Sequence, residues 1–244
     1  MITGASSGIG AAAAALFAAG GANVVLMARR EDRLRELAAR IGAEGGAVAL
    51  APGDVTRSDD VERAVATAVD TFGSLDAAFN NAGWGVMGTP LHLIEDDVYD
   101  RIMDVNVRGV WNGLRHQIRA MRAQGGGGAI VNTCSTAGQF ATGAAAPYVA
   151  AKHAVLGLTR AAAAENGAHG IRVNALMVGT TRTELIERAM ESLPGLEEAA
   201  VARAVQKRLA DPAEIARVAV WLCGPEASFM TGAAVPVDGG CSAV

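Results

Sequence analysis

Short apolar runs alternate with helix-forming stretches along almost the whole chain, and this alternation restricts the fold more than any other feature. The runs are rich in β-branched residues and have the length of strands, while the stretches between them repeat apolar residues at helical spacing. The predicted strands cover residues 1–2, 23–28, 48–51, 75–79, 129–133, 171–177 and 234–237. Parallel strands need a crossover helix between them, so this order predicts an α/β fold. We expect one doubly wound parallel sheet of about seven strands with helices on both faces.

The composition fits one large α/β domain spanning residues 1–244. Hydrophobic residues make up 51% of the 244 positions, and 30 glycines allow the tight turns that a buried parallel sheet requires. A net charge of -4 offers no basic surface for nucleic acid. The three cysteines form no CxxC or Cys/His cluster, which argues against a disulfide framework and a zinc site. We expect a protein of the reducing cytoplasm that binds no metal.

Residues 11–28 carry no charge over 18 positions, a length at which a membrane span has to be considered. Gly20, Gly21 and Asn23 interrupt the stretch. Arg29 and Arg30 follow it, whereas a signal peptide has its positive charge before the apolar run. The stretch therefore predicts neither a membrane span nor a signal peptide.

A glycine-rich turn, TGASSGIG at residues 3–10, follows the first predicted strand. Gly4, Gly8 and Gly10 lie at the start of an alanine-rich helix whose free amides and positive dipole end suit a phosphate. Their spacing is GxxxGxG instead of the general dinucleotide fingerprint GxGxxG, and the strand before them is only Met1-Ile2. The turn indicates a nucleotide phosphate site.

The end of the second predicted strand bears on which dinucleotide would bind. An acid there would bond the ribose 2′-hydroxyl of NAD, whereas arginine accepts the 2′-phosphate of NADP. The strand ends in Ala28-Arg29-Arg30, and Glu31 and Asp32 fall in the next helix, where the dipole favours acids. We predict NADP(H), with NAD(H) as the open alternative.

Polar residues also follow two later strands, and one lies on a long helix. Asp54, Asn80 and Asn81 come at strand ends, where they serve either as ligand contacts or as local turn residues. Asn106 lies beside the apolar stripe of a helix predicted over residues 97–124. A buried asparagine there is either a structural bracket or a site residue that holds a water.

Ser135, Tyr148 and Lys152 form a candidate reaction centre. Tyr148 and Lys152 are spaced i, i+4, so they share one face of a helix. A cation beside a tyrosine hydroxyl favours the phenolate, which makes the pair suited to proton transfer. Ser135 follows the strand at residues 129–133, at the edge where open α/β sheets bind ligands.

The stretch from residue 179 to about 210 breaks the alternation of strands and helices. It is charged, helical in parts and placed where an insertion would cover the ligand edge of the sheet. The next helix has a clear start, with Asp211 as N-cap, Pro212 at the first helical position and Glu214 at the third. We therefore expect a substrate lid at about residues 179–210.

Seven sequence features, taken together in this order, resemble the compact, single-domain branch of the short-chain dehydrogenase/reductase family. They are TGASSGIG, NNAG at residues 80–83, Asn106, Ser135, YVAAK at residues 148–152, RVNA at residues 172–175 and DGG at residues 238–240. The resemblance covers essentially the whole chain. It implies a Rossmann fold, hydride transfer between NADP(H) and a ketone or secondary alcohol, and a homotetramer.

The resemblance also implies roles for individual residues. Tyr148 would be the general acid/base, Lys152 would assist it and bond the nicotinamide ribose, and Ser135 would hold the substrate oxygen. Asn106 would bind a water that links Lys152 to solvent. The implied cofactor contacts are Gly4, Ser6, Ser7, Gly8, Ile9, Gly10, Arg29, Arg30, Asp54, Val55, Asn80, Ala82, Gly83, Tyr148, Lys152, Gly179, Thr181 and Thr183.

The chain departs from the family pattern in three places. The first strand is cut to Met1-Ile2, and Val178-Gly179 stands where the family has Pro-Gly, so the hinge of the lid loses a stiff proline. Cys134 stands beside Ser135, where we expect a small strand residue and not a nucleophile. His153, next to Lys152, is expected to pack or face solvent.

The substrate pocket is expected between residues 84–88, 139–146 and 180–203, which are mostly apolar and small. A medium-sized, fairly hydrophobic ketone would fit such walls. Two alternatives stay open: an NAD-dependent alcohol dehydrogenase of the same family, and a catalytically silent cofactor-binding sensor or scaffold. For the tetramer, Val155, Leu158 and residues 241–244 are the expected contacts.

Overall fold

Seven parallel strands form the central sheet of the protein. The structure is a computed structural model and describes residues 1–141 and 143–243. The strands are β1 Ile2–Thr3, β2 Val24–Met27, β3 Val48–Leu50, β4 Ala77–Asn80, β5 Gly128–Thr133, β6 Ile171–Val178 and β7 Ala234–Val237. Their order in the sheet is β3-β2-β1-β4-β5-β6-β7. Each predicted strand is confirmed to within two residues at its ends.

Nine α-helices of the described residues connect and cover these strands. They are α1 Gly8–Ala19, α2 Glu31–Ala43, α3 Ser58–Phe72, α4 Asp96–Met103, α5 Gly109–Gln124, α6 Ala146–Asn166, α7 Glu184–Ser192, α8 Leu196–Arg203 and α9 Pro212–Cys223. The predicted start of α9 is confirmed, since the Asp211 side chain accepts from the Ala213 amide and the Glu214 carboxylate accepts from the Asp211 amide.

The sheet has a hydrophobic core on each face, as expected for a doubly wound fold. Along β2 the side chains alternate, so Val25 and Met27 pack in one core while Val24 and Leu26 pack in the other. One core is completed by α3, α5 and α6, and the other by α1, α2 and α9. Because β2 is covered on both sides, its residues are all apolar and all buried.

The helix predicted over residues 97–124 is not regular throughout. Between α4 and α5 the chain makes a π-helical turn, Asp104–Arg108. A π-helical turn inserts one extra residue, which changes the direction of the side chains that it contains. Asn106 lies in this turn and is fully buried. The periodicity of the apolar residues predicted the extent of the helix but not this interruption.

The order of the strands determines where a ligand can bind. The chain adds β2 and β3 on one side of β1 and then crosses to add β4, β5, β6 and β7 on the other side, which makes the β1–β4 pair the topological switch point. Ligands of open α/β sheets bind at the carboxyl ends of the strands near such a point. None of the helices in the described ranges is both long and apolar enough to cross a membrane.

Candidate active site

A cleft of about 1310 Å³ opens along the carboxyl edge of the sheet. It is larger than the usual pocket for one small ligand, and its volume suits a dinucleotide together with a substrate. It is lined by most of the predicted site residues: Gly4, Ser6, Ser7, Gly8, Ile9, Arg29, Arg30, Asp54, Val55, Ala82, Gly83, Ser135, Tyr148, Lys152, Gly179, Thr181 and Thr183. Of the predicted positions, Gly10, Asn80 and Asn106 do not line it.

The glycine-rich loop between β1 and α1 forms a cradle that side chains would fill. Gly4 has φ +66°, and a Cβ there would lie 2.9 Å from the Cα of Ala82. A Cβ on Gly10 would lie 2.3 Å from the carbonyl oxygen of Gly4, so Gly10 closes the loop from behind. Gly8 begins α1 and faces the side chain of Thr183. The loop therefore leaves room and free amides for a phosphate, as NAD(P)(H) requires.

The structure brings Ser135, Tyr148 and Lys152 together in the cleft. Lys152 is 2% exposed, and its Nζ donates to the carbonyl oxygen of Thr133 at 3.0 Å. The same Nζ lies 5.4 Å from the centroid of the Tyr148 ring. The Ser135 hydroxyl oxygen accepts from the Ala137 amide at 3.2 Å, so its proton is left to donate into the cleft.

Gly85 lies against the ring of Tyr148. A Cβ on Gly85 would lie 2.7 Å from Cδ2 of Tyr148, so the backbone of residue 85 packs directly on the ring. Any side chain there would displace the ring. No local pattern predicts this contact, because the two residues are far apart along the chain.

Asn106 serves as a bracket under the cleft. Its Nδ2 donates to the carbonyl oxygens of Trp84 at 2.6 Å and Ile102 at 2.8 Å. A Cβ on Gly83 would lie 3.2 Å from its Oδ1 and 3.8 Å from Nζ of Lys152, so Asn106 and Lys152 both lie beside Gly83. Both amide hydrogens are therefore used by the protein, and the predicted role in holding a water stays a prediction.

The side chain of Asn80 is placed differently from the expectation of a cofactor contact. It is 3% exposed, exchanges two hydrogen bonds with Gln117 at 2.9 and 2.7 Å, and donates to Asn132 at 2.9 Å. Asn132 in turn donates to Thr159 at 3.0 Å. This buried network ties α5, β4, β5 and α6 together beneath the cleft. The neighbouring Asn81 lines the cleft instead.

The two arginines after β2 point in different directions. Arg29 is 66% exposed, and its Nη1 lies 4.0 Å from the carboxylate of Asp54. Arg30 reaches the glycine-rich loop, where it donates to Ser6 and Ser7, and it also donates to Glu184 at the start of α7. The Arg30 guanidinium holds the pKa of Glu184 below its ordinary value. Sequence reasoning missed Glu184, since its partner is 154 positions away.

Asp54 combines the two roles that the sequence left open. Its Oδ1 accepts from the Thr56 amide at 2.9 Å, which is local turn chemistry. Its amide donates to Asp60 at 2.9 Å, and this bond is the main cause of a lowered pKa of Asp60. Asp54 nevertheless lines the cleft.

The walls beyond Tyr148 are mostly apolar. Trp84 carries the guanidinium of Arg101 over its ring, 4.0 Å from the centroid, and Val86 and Met87 follow along the wall. Leu193, after α7, reaches across to Gly88, where a Cβ would lie 3.4 Å from its methyl groups. The expected walls at residues 84–88 and 180–203 therefore lie at the cleft for most of their length.

The third expected wall, residues 139–146, is largely wrong. Only Gly143 and Ala144 of the described part line the cleft, and Gln139 and Phe140 are exposed outside it. Thr142 lies outside the described residues. Gln139 and Phe140 directly follow the 3-10 turn Thr136–Gly138 and face solvent there.

Val178 and Gly179 stand where the family has Pro-Gly, and the structure shows what each of them contacts. Val178 is the last residue of β6 and pairs with Val237 of β7. A Cβ on Gly179 would lie 2.6 Å from the Cα of Asp238, so only glycine fits against that turn. The close approach of the two turns is kept by the glycine.

The remaining candidate groups have structural roles. Cys134 is buried, its thiol donates to the carbonyl oxygen of Lys152, and burial raises its pKa. It is therefore not a thiolate nucleophile. His153 is exposed, and its Nδ1 bonds the carbonyl oxygen of Val149. Among the described residues, no cluster of His, Cys, Asp or Glu could hold a metal ion.

Comparison with known proteins places this site in a family. A family model described as Enoyl-(Acyl carrier protein) reductase matches residues 4–242. The A-factor type gamma-butyrolactone 1'-reductase (1S-forming) of Streptomyces virginiae is 57% identical over 240 residues, which cover 98% of this chain and 93% of that protein. A 2,5-dichloro-2,5-cyclohexadiene-1,4-diol dehydrogenase of Sphingobium indicum is 43% identical over 244 residues, with 100% and 96% covered.

Solved structures agree with these relatives. A variant of actinorhodin polyketide ketoreductase with NADPH has a TM-score of 0.93 at 31% identity, covering 100% of this chain and 97% of that chain. The chain belongs to the short-chain dehydrogenase/reductase family. Within that family it is an NAD(P)-dependent oxidoreductase of alcohols and ketones. Related structures have been solved with NADPH and with NADH.

Proposed function

We propose that this chain uses NADPH to reduce a ketone at the 1′ carbon of a γ-butyrolactone to the secondary alcohol. The observation that carries the proposal is the convergence of Ser135, Tyr148 and Lys152 in a cleft with apolar outer walls. The identity of 57% with the γ-butyrolactone 1'-reductase over nearly the whole chain supports the choice of ketone. The medium-sized, hydrophobic ketone expected from the sequence is of the same kind.

The chemistry follows from the three side chains. When bound, the nicotinamide cofactor supplies the hydride that reaches the carbonyl carbon. The Tyr148 hydroxyl gives its proton to the carbonyl oxygen as negative charge develops there. The Ser135 hydroxyl donates a hydrogen bond to the same oxygen and stabilises that charge. In the reverse direction Tyr148 takes the proton of the alcohol.

Lys152 supports this proton transfer from a fixed position. Its Nζ donates one hydrogen bond to the carbonyl oxygen of Thr133, which leaves two N–H donors for other groups. In the proposed complex these donors serve the hydroxyl oxygen of Tyr148 and a hydroxyl of the nicotinamide ribose. Gly85 and Asn106 hold the surroundings of this pair in place.

The preference for NADPH is the finer part of the proposal. Arg29 and Arg30 both lie at the carboxyl end of β2, the position at which a 2′-phosphate is bound in this fold. The two acids at the start of α2 have other surroundings, since Glu31 pairs with Arg35 and Asp32 is exposed, which supports the choice of NADPH.

A second candidate is an NAD-dependent dehydrogenase that oxidises a cyclic diol. One observation favours it, because Glu184 already neutralises Arg30 and so weakens the case for a 2′-phosphate there. The relative from Sphingobium indicum is named for a diol of this kind.

The two candidates are separated by a substrate panel with both cofactors. We expect the γ-butyrolactone 1′-ketone with NADPH to give the highest kcat/KM, at least about tenfold above a cyclic dione or cyclohexanol. Chiral chromatography should show the 1′S alcohol. Turnover of a cyclohexadiene diol with NAD⁺, together with no reduction of the lactone ketone, would contradict the proposal and support the second candidate.

We also propose that residues 179–210 act as a lid on a single domain and that the protein is a cytoplasmic homotetramer. Exposed apolar side chains on α5, α9 and the segment after it support an assembly: Trp111, Trp221 and Phe229. The expected contact at Val155 is wrong, because this residue packs in the core, and Val244 lies outside the described residues.

The free cysteines of the described residues suit a reducing compartment. Light scattering of the purified protein measures the assembly, and a monomer would contradict it.

A further inference from the structure

Three segments that are far apart in sequence meet at the carboxyl end of β2. They are the glycine-rich loop, the residue that precedes α2 and the first residue of α7. Arg30 Nη1 donates to both carboxylate oxygens of Glu184, at 3.1 and 2.8 Å. Its Nη2 donates to Ser6 at 3.1 Å and to Ser7 at 2.8 Å, and its Nε donates to Ser6 at 3.3 Å. All three nitrogens of the guanidinium therefore have partners.

Arg30 and the two serines form an anion site, and the carboxylate of Glu184 already bonds its guanidinium. The guanidinium fork and the neighbouring hydroxyls are the donors that bind carboxylate and phosphate alike. The side chains of Arg30 and Glu184 are 40% and 34% exposed, so the pair is partly shielded from water. The Glu184 carboxylate is ionised at neutral pH, and Arg30 lowers its pKa further below the ordinary value.

We propose that Glu184 is a specificity residue, which competes with the 2′-phosphate of NADP(H) for Arg30 and so reduces the preference for NADP(H) over NAD(H). This inference rests on the proposed use of NADP(H). A 2′-phosphate at the end of β2 needs the same donors that Glu184 occupies, and its charge is repelled by the carboxylate. The 2′-hydroxyl of NAD(H) makes no such demand on the guanidinium.

Arg188 makes this exchange feasible. It lies one turn further along α7, and its Nη2 pairs with the same carboxylate at i, i+4. When a phosphate takes Arg30, Glu184 keeps one charged partner and is not left unpaired. The start of α7 is held independently, because the Thr183 hydroxyl accepts from the Ile186 amide. The carboxylate can thus leave Arg30 without unfolding the helix.

Calorimetric titration of the purified chain with NADP⁺ and NAD⁺ tests the inference. In Glu184→Gln we expect the Kd for NADP⁺ to fall by about tenfold, the effect of one charge-assisted hydrogen bond, while the Kd for NAD⁺ stays within about twofold. Glu187→Gln is the matched control, because it removes the same charge from an exposed position of α7 and should change neither constant. Titration with 2′,5′-ADP and 5′-ADP repeats the comparison for the adenosine end alone.

A double mutant separates competition from a general electrostatic effect. If Glu184 acts through Arg30, Glu184→Gln should no longer strengthen NADP⁺ binding in an Arg30→Gln background. An unchanged ratio of the two Kd values in the single mutant would overturn the inference. Weaker NAD⁺ binding in that mutant would also overturn it, since Glu184 would then be the acceptor of the ribose hydroxyl.

If the proposed use of NADPH is wrong, the titrations give a result that differs from failure of the inference about Glu184. If wild-type protein binds NAD⁺ more tightly than NADP⁺, the preference for NADPH is wrong. In that case the inference about Glu184 still requires that Glu184→Gln bind 2′,5′-ADP more tightly than the wild type does. Thermal unfolding of each variant shows whether it is folded under the conditions of the titration.

Discussion

In the proposed reaction, single residues act through their position as much as through their chemistry. The ring of Tyr148 lies against Gly85, and Lys152 is held by the carbonyl oxygen of Thr133. Neither contact involves a reacting atom. Both restrict where the hydroxyl and the ammonium can lie, and a catalytic geometry depends on such restriction.

Gly85→Ala should lower kcat with little effect on folding. The added Cβ would lie 2.7 Å from Cδ2 of Tyr148, so the ring has to move away from its position in the cleft. A displacement near 1 Å at a reacting group costs up to about 10²-fold in rate. We expect kcat to fall by at least about tenfold, while calorimetry shows an unchanged Kd for the cofactor.

Gly42→Ala is the control for that variant. Gly42 lies in α2, and a Cβ there would meet nothing within 4 Å. Its steady-state kinetics should match the wild type. Full kcat in Gly85→Ala would show that the ring tolerates displacement and that Gly85 does not position it.

Residues of the site could be predicted from the sequence where they belong to a motif with a known chemical role. They could not be predicted where they reach the site only through packing. Tyr148, Lys152 and Ser135 were found from their spacing and from the strand before them, and all three line the cleft. Glu184 and Gly85 belong to the same site without any local pattern. Asn80 belongs to a motif of the family, yet its side chain is used inside the protein.

At the scale of helices and strands, buried polar contacts hold the elements around the cleft. The amides of Asn80, Gln117 and Asn132 join two strands to α5, and His116 joins α5 to α3. His116 is 5% exposed, and its Nε2 lies 2.8 Å from the hydroxyl of Ser58. Such contacts fix the relative position of elements but become costly when a partner is charged or lost.

Protonation of His116 should destabilise the contact between α3 and α5. Burial is the largest effect and lowers the pKa of His116 below the ordinary 6.5. The charges of Arg115 and Arg119 lower it as well, whereas Glu62 and Asp59 raise it without reversing the shift. As the pH falls through 6.5, the unfolded chain takes up the proton before the folded chain does. The free energy of unfolding therefore falls from neutral to acid pH, and Tm should fall with it.

His116→Gln should reduce that fall, because glutamine can bond Ser58 and does not titrate. Scanning calorimetry between about pH 7 and pH 5 measures the effect. His153→Gln, on the exposed side of α6, should leave it as in the wild type. An equal fall of Tm in His116→Gln and in the wild type would mean that other groups cause the acid sensitivity.

The elements themselves were largely predictable, since strands of a parallel sheet and amphipathic helices leave strong patterns. The boundaries of the seven strands agree with the expectation because each run of apolar residues ends at a polar or glycine-rich turn. The π-helical turn at Asp104–Arg108 was not predictable, because a single inserted residue changes the apolar period too little to be recognised.

For the whole molecule, the topology explains why distant motifs form one site. All the strands in the described residues are parallel, so each ends at the same edge, and four of the motifs lie at or just after strand ends: TGASSGIG, NNAG, Ser135 and DGG. The order of the motifs along the chain therefore predicted which residues would meet, although a sequence contains no distances. The walls of the substrate pocket are less predictable, because they come from connecting segments whose direction depends on packing, as residues 139–141 show.

The central claim, that Tyr148 moves the proton in ketone reduction, is tested most directly by comparing Tyr148→Phe with the wild type. The variant removes one hydroxyl and keeps the ring that packs on Gly85. With the γ-butyrolactone 1′-ketone and NADPH, single-turnover rates should fall by about 10²- to 10⁴-fold, while the Kd for NADP⁺ stays unchanged. Reduction by the variant at more than a tenth of the wild-type rate would contradict the account.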